Sequence, residues 1–409
     1  MLNKRLPLVS SALIFLYSAT LLASGKSYSY IAISLCIISL LILPITLKNK
    51  LPTDFYKISI ALTGYFLITA LSLLLMGGKL SNLDMPSRTV FILPAFVFLL
   101  NFPPKKEWVF SGILIGSLMC GLIALYHTQI LNIRAFFSFD YMVIQSGNMA
   151  MSLGLFSLII AIQYIKEKKI GLSSLATICA LAGIFASLLS GARGGWVLAP
   201  FILISLLILN RQILSKKVII ILTVTLISGS FLTYNIAENR VQKVVTDITQ
   251  LSQKHNANTS TGARIEMWKS GIYNFIDHPL FGTGYQERQK YNQILVDNNL
   301  VDPIVLNFGR LHNSYIEELS IKGIIGFTAL MLFFYFPLYL FLSRGNIKNN
   351  VFSQLGVVHI ALVMSYCLSQ NYINHHSGML HYLMYTIIFY AMLHHQENSH
   401  LSENSKVIS

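Results

Sequence analysis

Charged residues make up only 11% of this 409-residue sequence, whereas 54% of it is hydrophobic. A soluble domain carries about 25% charge, so no ordinary water-facing surface can be assembled from this chain, which reads as a membrane protein. Acidic residues are scarcer still: 16 Asp and Glu stand against 30 Lys and Arg, a formal +14. In a soluble protein that excess would suggest nucleic acid, but in a membrane chain it reads first as topology. Cysteine occurs four times, at Cys36, Cys120, Cys179 and Cys367, each inside an apolar run and none in a C-x-x-C spacing. No disulfide framework or zinc site is implied. Also missing are a Walker A loop, a D-x-D pair and, outside the apolar runs, any His or Cys cluster of ligand spacing. The sequence therefore gives no support to nucleotide-sugar chemistry, a bound metal or another cofactor. It contains no internal repeat, low-complexity tract or Gly/Ser-rich linker.

What the sequence does contain is apolar length. About 20 mostly apolar residues cross a hydrocarbon core, and twelve segments are candidates: 6–24, 29–47, 55–76, 88–102, 108–126, 141–164, 171–190, 196–210, 218–234, 317–342, 351–368 and 379–394. The first follows "MLNKR" and reads as a retained helix, because no small-x-small cleavage site stands out. Basic clusters at 3–5, 48–50, 103–107, 166–169, 211–217 and 343–350, with the C-terminal tail, all fall on one side of the alternating spans. That side is expected to be cytoplasmic, with both termini on it. The expected fold is an all-α polytopic membrane protein of about twelve transmembrane helices. Nine lie in 1–234, a large, partly helical outer loop fills 235–313, three more helices lie in 314–396, and a cytoplasmic tail occupies 397–409.

A connection of this length is far above the usual and marks a lid or small domain. Val241, Val244, Val245, Ile248 and Leu251 recur at a helical period. A second helix is expected in "ARIEMWKSGIYNFI", with Ser260 or Thr261 as N-cap and Ile265, Trp268, Ile272 and Phe275 on one face. "DHPLFGTGY" is turn chemistry, and a third helix is expected from "HNSYIEELS" into the tenth span.

Within the spans, ionisable groups are few. Lys57 and Lys322 sit near span ends, where they can snorkel. His359 is mid-span and reads either as a neutral, hydrogen-bonded histidine or as a proton relay. Glu317 and Glu318 are expected to face solvent or to cap a helix. The outer loops are different, because Lys79, Arg88, Arg134, Arg193, Arg264, Arg288 and Arg310 make them cationic. Such a surface suits a pyrophosphate, whose oxygens match the planar guanidinium fork. Arg193, in "SGARGGW", either grips an anion or snorkels beside a glycine turn. Arg264, in "TSTGARIEMW", either stands at a helix start that binds anions or is an exposed first-turn residue. His312, in "LHN", either takes a proton from a hydroxyl or is structural.

Together, "SGARGGW", "TSTGARIEMWKSGIYNFIDHPLFGTGY" and "LHNSYIEELSIKGIIGF" resemble the O-antigen ligase family, which shares its fold with O-antigen polymerases. The likeness is specific from about Arg193 to Phe327 and rests on topology elsewhere. It implies a GT-C-like glycosyltransferase of a bacterial inner membrane, inverting and independent of metal and ATP. The implied partners are an undecaprenyl-pyrophosphate-linked O-antigen donor, a lipid A-core acceptor and membrane lipids, with the active site on the periplasmic face. By motif, the family's essential residues fall on Arg193, Arg264 and His312. Arg88, Arg134, Arg288 and Arg310 are added as substrate contacts from topology. O-antigen polymerase is the alternative reading, and a lipid-linked sugar transporter is a further one.

Overall fold

The protein is described by a computed structural model covering residues 2–138, 140–192, 194–212, 234–254 and 256–408, and every regular element among them is helical. The first group is α1 (Leu2–Ala19), α2 (Ser27–Thr46), α3 (Thr53–Met76), α4 (Asp84–Phe91), α5 (Leu93–Asn101) and α6 (Lys106–Leu125). Then come α7 (Val143–Lys166), α8 (Ile170–Ser190) and α9 (Gly194–Leu209). The large connection holds α10 (Tyr234–Lys254), α11 (Ser260–Asp277) and α12 (Gly284–Asp297), and the chain closes with α13 (Ser314–Ser343), α14 (Val351–Ser369) and α15 (His376–Ile408). Eight helical stretches among the described residues are long and apolar enough to cross a membrane, and Arg5–Ala19 and Gly194–Leu209 are shorter apolar helices. The expected ninth span, 218–234, lies almost wholly outside the described residues. The stretch 397–408, expected as a tail, continues α15 without a break.

The fourth span differs from its expected bounds. It starts earlier, with a short 3-10 turn at Leu80–Leu83, and divides into α4 and α5 around Ile92. Pro94, at the start of α5, has no N–H for the carbonyl four residues back, so the ladder breaks there.

Helix α7 is buried along almost its whole length. It packs on α8, α6, α9 and α14, and its closest approach is to α8. A Cβ on Gly183 would lie 2.8 Å from the Gly154 Cα, so only glycine lets these two backbones meet. By contrast, Ile33, Ile37, Leu40 and Leu41 of α2 and Ile60, Leu67 and Leu74 of α3 are exposed. They form the apolar exterior that hydrocarbon covers. His359 is fully buried, with Nε2 bonded to the Tyr382 carbonyl at 3.0 Å, and His381 lies against it at 5.2 Å between ring centroids.

The large connection is anchored by a break in α13. Gly323 has φ 61° and ψ −157°, which interrupts the helix about two and a half turns after its start at Ser314. The turn 278–283 docks into that gap: Thr283 N–H donates to the Ser320 carbonyl (2.9 Å) and Ile324 N–H to that of Pro279 (2.8 Å). A side chain on Gly323 would strike the Leu280 carbonyl at 2.4 Å. The broken backbone is thus satisfied by another segment of protein, as a span interior requires.

Two expectations for buried charge are corrected here. Lys322 does not snorkel: it is 3% exposed, 2.5 Å from Glu318 Oε2 and 3.0 Å from the Thr69 hydroxyl. Glu318 does not face solvent either, since it is 2% exposed and accepts from the Tyr65 hydroxyl at 2.9 Å. A carboxylate and an ammonium on adjacent turns of α13 can enter the interior because each neutralises the other. Lys57 remains half-exposed beside the buried Asp54, which also accepts from Arg344 at 2.6 Å.

Candidate active site

The connection has its own small core of Ala263, Met267, Leu295, Val301, Val305 and Leu311. Helix α11 faces it mainly with its small residues, and Trp268 packs at its edge. Ala263, Met267, Ser270, Gly271 and Asn274 are buried, while Ile272 and Ile276 are exposed. Small residues win because the approach is close: a Cβ on Gly271 would sit 2.5 Å from Leu311 and 2.6 Å from Ile316. The N-cap is Thr259, one residue before the expected start, and its hydroxyl accepts from Gly262 N–H. Asp247 of α10 accepts from Thr261 N–H at 3.2 Å. Val245 and Ile248, two members of the apolar stripe of α10, are exposed. Helix α12, absent from the sequence reading, supplies the other wall.

Between these walls the chain runs through Leu311–His312–Asn313. His312 has φ +52°, a left-handed conformation that costs a side-chain-bearing residue about 1–2 kcal/mol. It is held there from both sides. The Leu311 carbonyl accepts from the Trp268 indole at 2.9 Å, and Leu311 N–H donates to Glu317 Oε2 at 2.8 Å. Asn313 caps α13 by accepting from the N–H groups of Tyr315 and Ile316. Glu317, expected to face solvent, is therefore a buried brace: its other oxygen takes Arg288 Nη1 at 2.8 Å, and Arg288 Nη2 donates to the Gly309 carbonyl.

The connection between α14 and α15, "SQNYINHHSG" (369–378), closes the site. Gln370 Oε1 is 2.6 Å from His312 Nδ1. An amide oxygen only accepts, so Nδ1 carries the proton, and in the neutral ring Nε2 then holds the lone pair. The amide's nitrogen faces His375 Nε2 at 3.5 Å. Burial, then the charges of Arg310, His312 and His376, push the His375 imidazole down from its ordinary 6.5 to about 4. Between those values the unfolded chain binds a proton that the folded one refuses. Stability is therefore complete above pH 6.5 and falls on acidification through this window. Thermal unfolding in detergent from pH 7 to 4 should show that fall, and His375→Asn should reduce it; an identical fall in the variant would discount this imidazole.

The seven residues singled out by sequence divide as follows. The 370–376 connection gathers three: Arg310 Nη1 donates to the Asn374 carbonyl at 2.6 Å, Arg88 to His376 Nδ1, and His312 meets Gln370. Arg134 Nε donates to the Ser190 carbonyl, at the end of α8 beside the left-handed Gly191. Arg264 lies one turn before Trp268, and residues so spaced share a helix face. Arg288 is 6% exposed and paired with Glu317. Arg193 lies outside the described residues. Gln370, His375 and Glu317 were missed, although two histidines and three amides in one short connection were a signal. Gln145, Asn148 and Asn371 are also buried, and their amide atoms have no hydrogen-bond partner among the described residues.

Residues 176–331 match the sequence model of a family described as O-antigen ligase. An uncharacterized protein of Haemophilus influenzae is 30% identical over 397 residues, covering 95% of this chain and 99% of its own length. An O-antigen ligase of Escherichia coli K12 is 28% identical over 189 residues, 45% of this chain and 44% of that protein. The matched stretch spans the α8 end, α11, the docked turn and the His312 segment, and over it the chain is similar to the O-antigen ligase family.

Proposed function

We propose that this protein is an O-antigen ligase of the inner membrane. It transfers a polysaccharide from undecaprenyl pyrophosphate to a sugar hydroxyl of the lipid A core at the periplasmic face. The observation that carries the reading is the strained His312, with Nδ1–H held by Gln370 and Nε2 left basic. The acceptor hydroxyl oxygen attacks the anomeric carbon, its proton passes to His312 Nε2, and the bond to the pyrophosphate oxygen breaks with inversion. Arg193 and Arg264 neutralise the charge that develops on the leaving pyrophosphate, an effect that needs donors already in position. With the first-turn N–H groups of Thr261 and Gly262 occupied by protein, the guanidinium of Arg264 carries that role. Arg88, Arg134 and Arg310 contact the substrates from the surrounding connections, and Arg288 contributes an edge.

The deciding assay incubates purified protein with an undecaprenyl-pyrophosphate-linked glycan and a core-lipid acceptor, with chelator present. Glycan on the core lipid supports the ligase, whereas longer lipid-linked chains without core transfer would reassign the protein as a polymerase. Covalently unchanged substrate moved across liposomes would make it a transporter.

Gln370 gives a sharper test of the histidine. Gln370→Leu removes the partner that fixes the tautomer, and kcat should fall by about 10–100-fold, as losses of such orienting partners do. Gln370→Glu sets a carboxylate against Nδ1–H and stabilises the imidazolium. Because the neutral ring is the active base, the acid limb of the pH–rate profile should move to higher pH. An unmoved limb would show that Gln370 does not act through His312.

A further inference from the structure

Beside the His312 segment lies a cavity of about 540 Å³, within the range of about 300–1,000 Å³ usual for ligand sites. Its walls come from the turn after α3, the start of α12, Gly309–Arg310 and the first turns of α13. Lys79, Ser81, Asn82, Gln286, Arg310 and Asn374 supply most of its polar lining. Three cations line it, Lys79, Arg288 and Arg310, against one carboxylate, Glu317. Glu317 is already paired with Arg288, which removes both from the balance. Lys79 is exposed and makes no ion pair among the described residues. Arg310 donates to a carbonyl, Asn374, which leaves its charge uncompensated by any carboxylate there. Two positive charges therefore face a chamber whose remaining walls combine the amides of Asn82, Gln286 and Asn374 and the Ser81 hydroxyl, groups that suit sugar hydroxyls, with Tyr285 and the apolar Met85, Pro86 and Ile321.

Arg310 and Asn374 form the cavity's boundary with the site: Arg310 is two residues before His312, and Asn374 directly precedes His375. Neither Arg264 nor His312 lines the cavity. We propose that this cavity is a saccharide subsite selective for sugars bearing a negative charge, a carboxylate or a phosphate, recognised by Lys79 and Arg310. The inference rests on the transfer reaction proposed above only for the expectation that a glycan lies next to His312.

The test measures binding, not turnover. Wild-type protein in nanodiscs is titrated calorimetrically with trigalacturonic acid and with maltotriose, a neutral trimer. The acidic trimer should bind at least about tenfold tighter, one charge-assisted hydrogen bond being worth roughly that factor. Lys79→Gln should lower the acidic trimer's affinity by about tenfold and erase most of the preference. Asn82→Trp, which fills the chamber, should block both trimers. His312→Ala should lose transfer and keep trimer binding, so that failure of the transfer reading and failure of the subsite are separate results. Equal affinities for the two trimers, no binding of either, or acidic binding untouched by both Lys79→Gln and Asn82→Trp would each overturn the subsite. A phosphorylated monosaccharide competing with the acidic trimer would identify phosphate as an accepted charge.

Discussion

Replacing His312 with alanine should lower glycan transfer by about a thousandfold, the middle of the range for a removed general base, while the melting temperature in detergent should move little. The two effects separate because the side chain makes a single hydrogen bond among the described residues, to Gln370. The backbone at this position is held by its neighbours, through Trp268, Glu317 and the Asn313 cap. His312→Gly sharpens the comparison. Glycine adopts φ +52° without strain, so this variant should be at least as stable as the alanine variant and equally inactive. The measurement is initial-rate transfer to core lipid with parallel thermal unfolding. If either variant retained more than a tenth of wild-type transfer, the proton would have to go elsewhere.

The second large effect is structural. Arg288→Ala leaves Glu317 ionised, buried and without its cation, and breaking a buried pair from one side costs about 3–5 kcal/mol. Transfer should fall as well, because Gly309 and Leu311 both take their backbone anchors from this pair. Restoring charge balance should rescue stability: Arg288→Met combined with Glu317→Gln keeps an acceptor for Leu311 N–H and removes both charges. The double variant should be more stable than Arg288→Met alone, a coupling that a double-mutant cycle of denaturant unfolding measures directly. The alternative has a different signature. Were Arg288 chiefly a substrate contact, Arg288→Ala would raise KM and leave unfolding unchanged.

Both variants concern residues whose meaning changed between sequence and structure. Arg288 was legible as one cation among several on an outer loop, and its partner was not, because Glu317 lies 29 residues away on the next helix. The same holds for His312, whose motif was plain while its orienting amide, Gln370, lies 58 residues further on. Helix α11 was legible in place, but which of its sides meets the core was not, since periodicity takes no account of how closely Gly271 lets a neighbour approach. Helix α12 was overlooked because its sequence is polar and has no apolar stripe long enough to announce it.

By itself the sequence determined the membrane class, the order of the apolar helices, the oversized connection and the three motifs that mark the family. Those are properties of contiguous residues: hydropathy accumulates along a segment, and a motif is a local string. Tertiary structure alone decided which charges are spoken for and which face a chamber. Glu318 meets Tyr65 across 253 residues, and Arg310 meets Asn374 across 64. A charge's role depends on its partner, and partners are chosen by packing in three dimensions, where distance along the chain has no bearing.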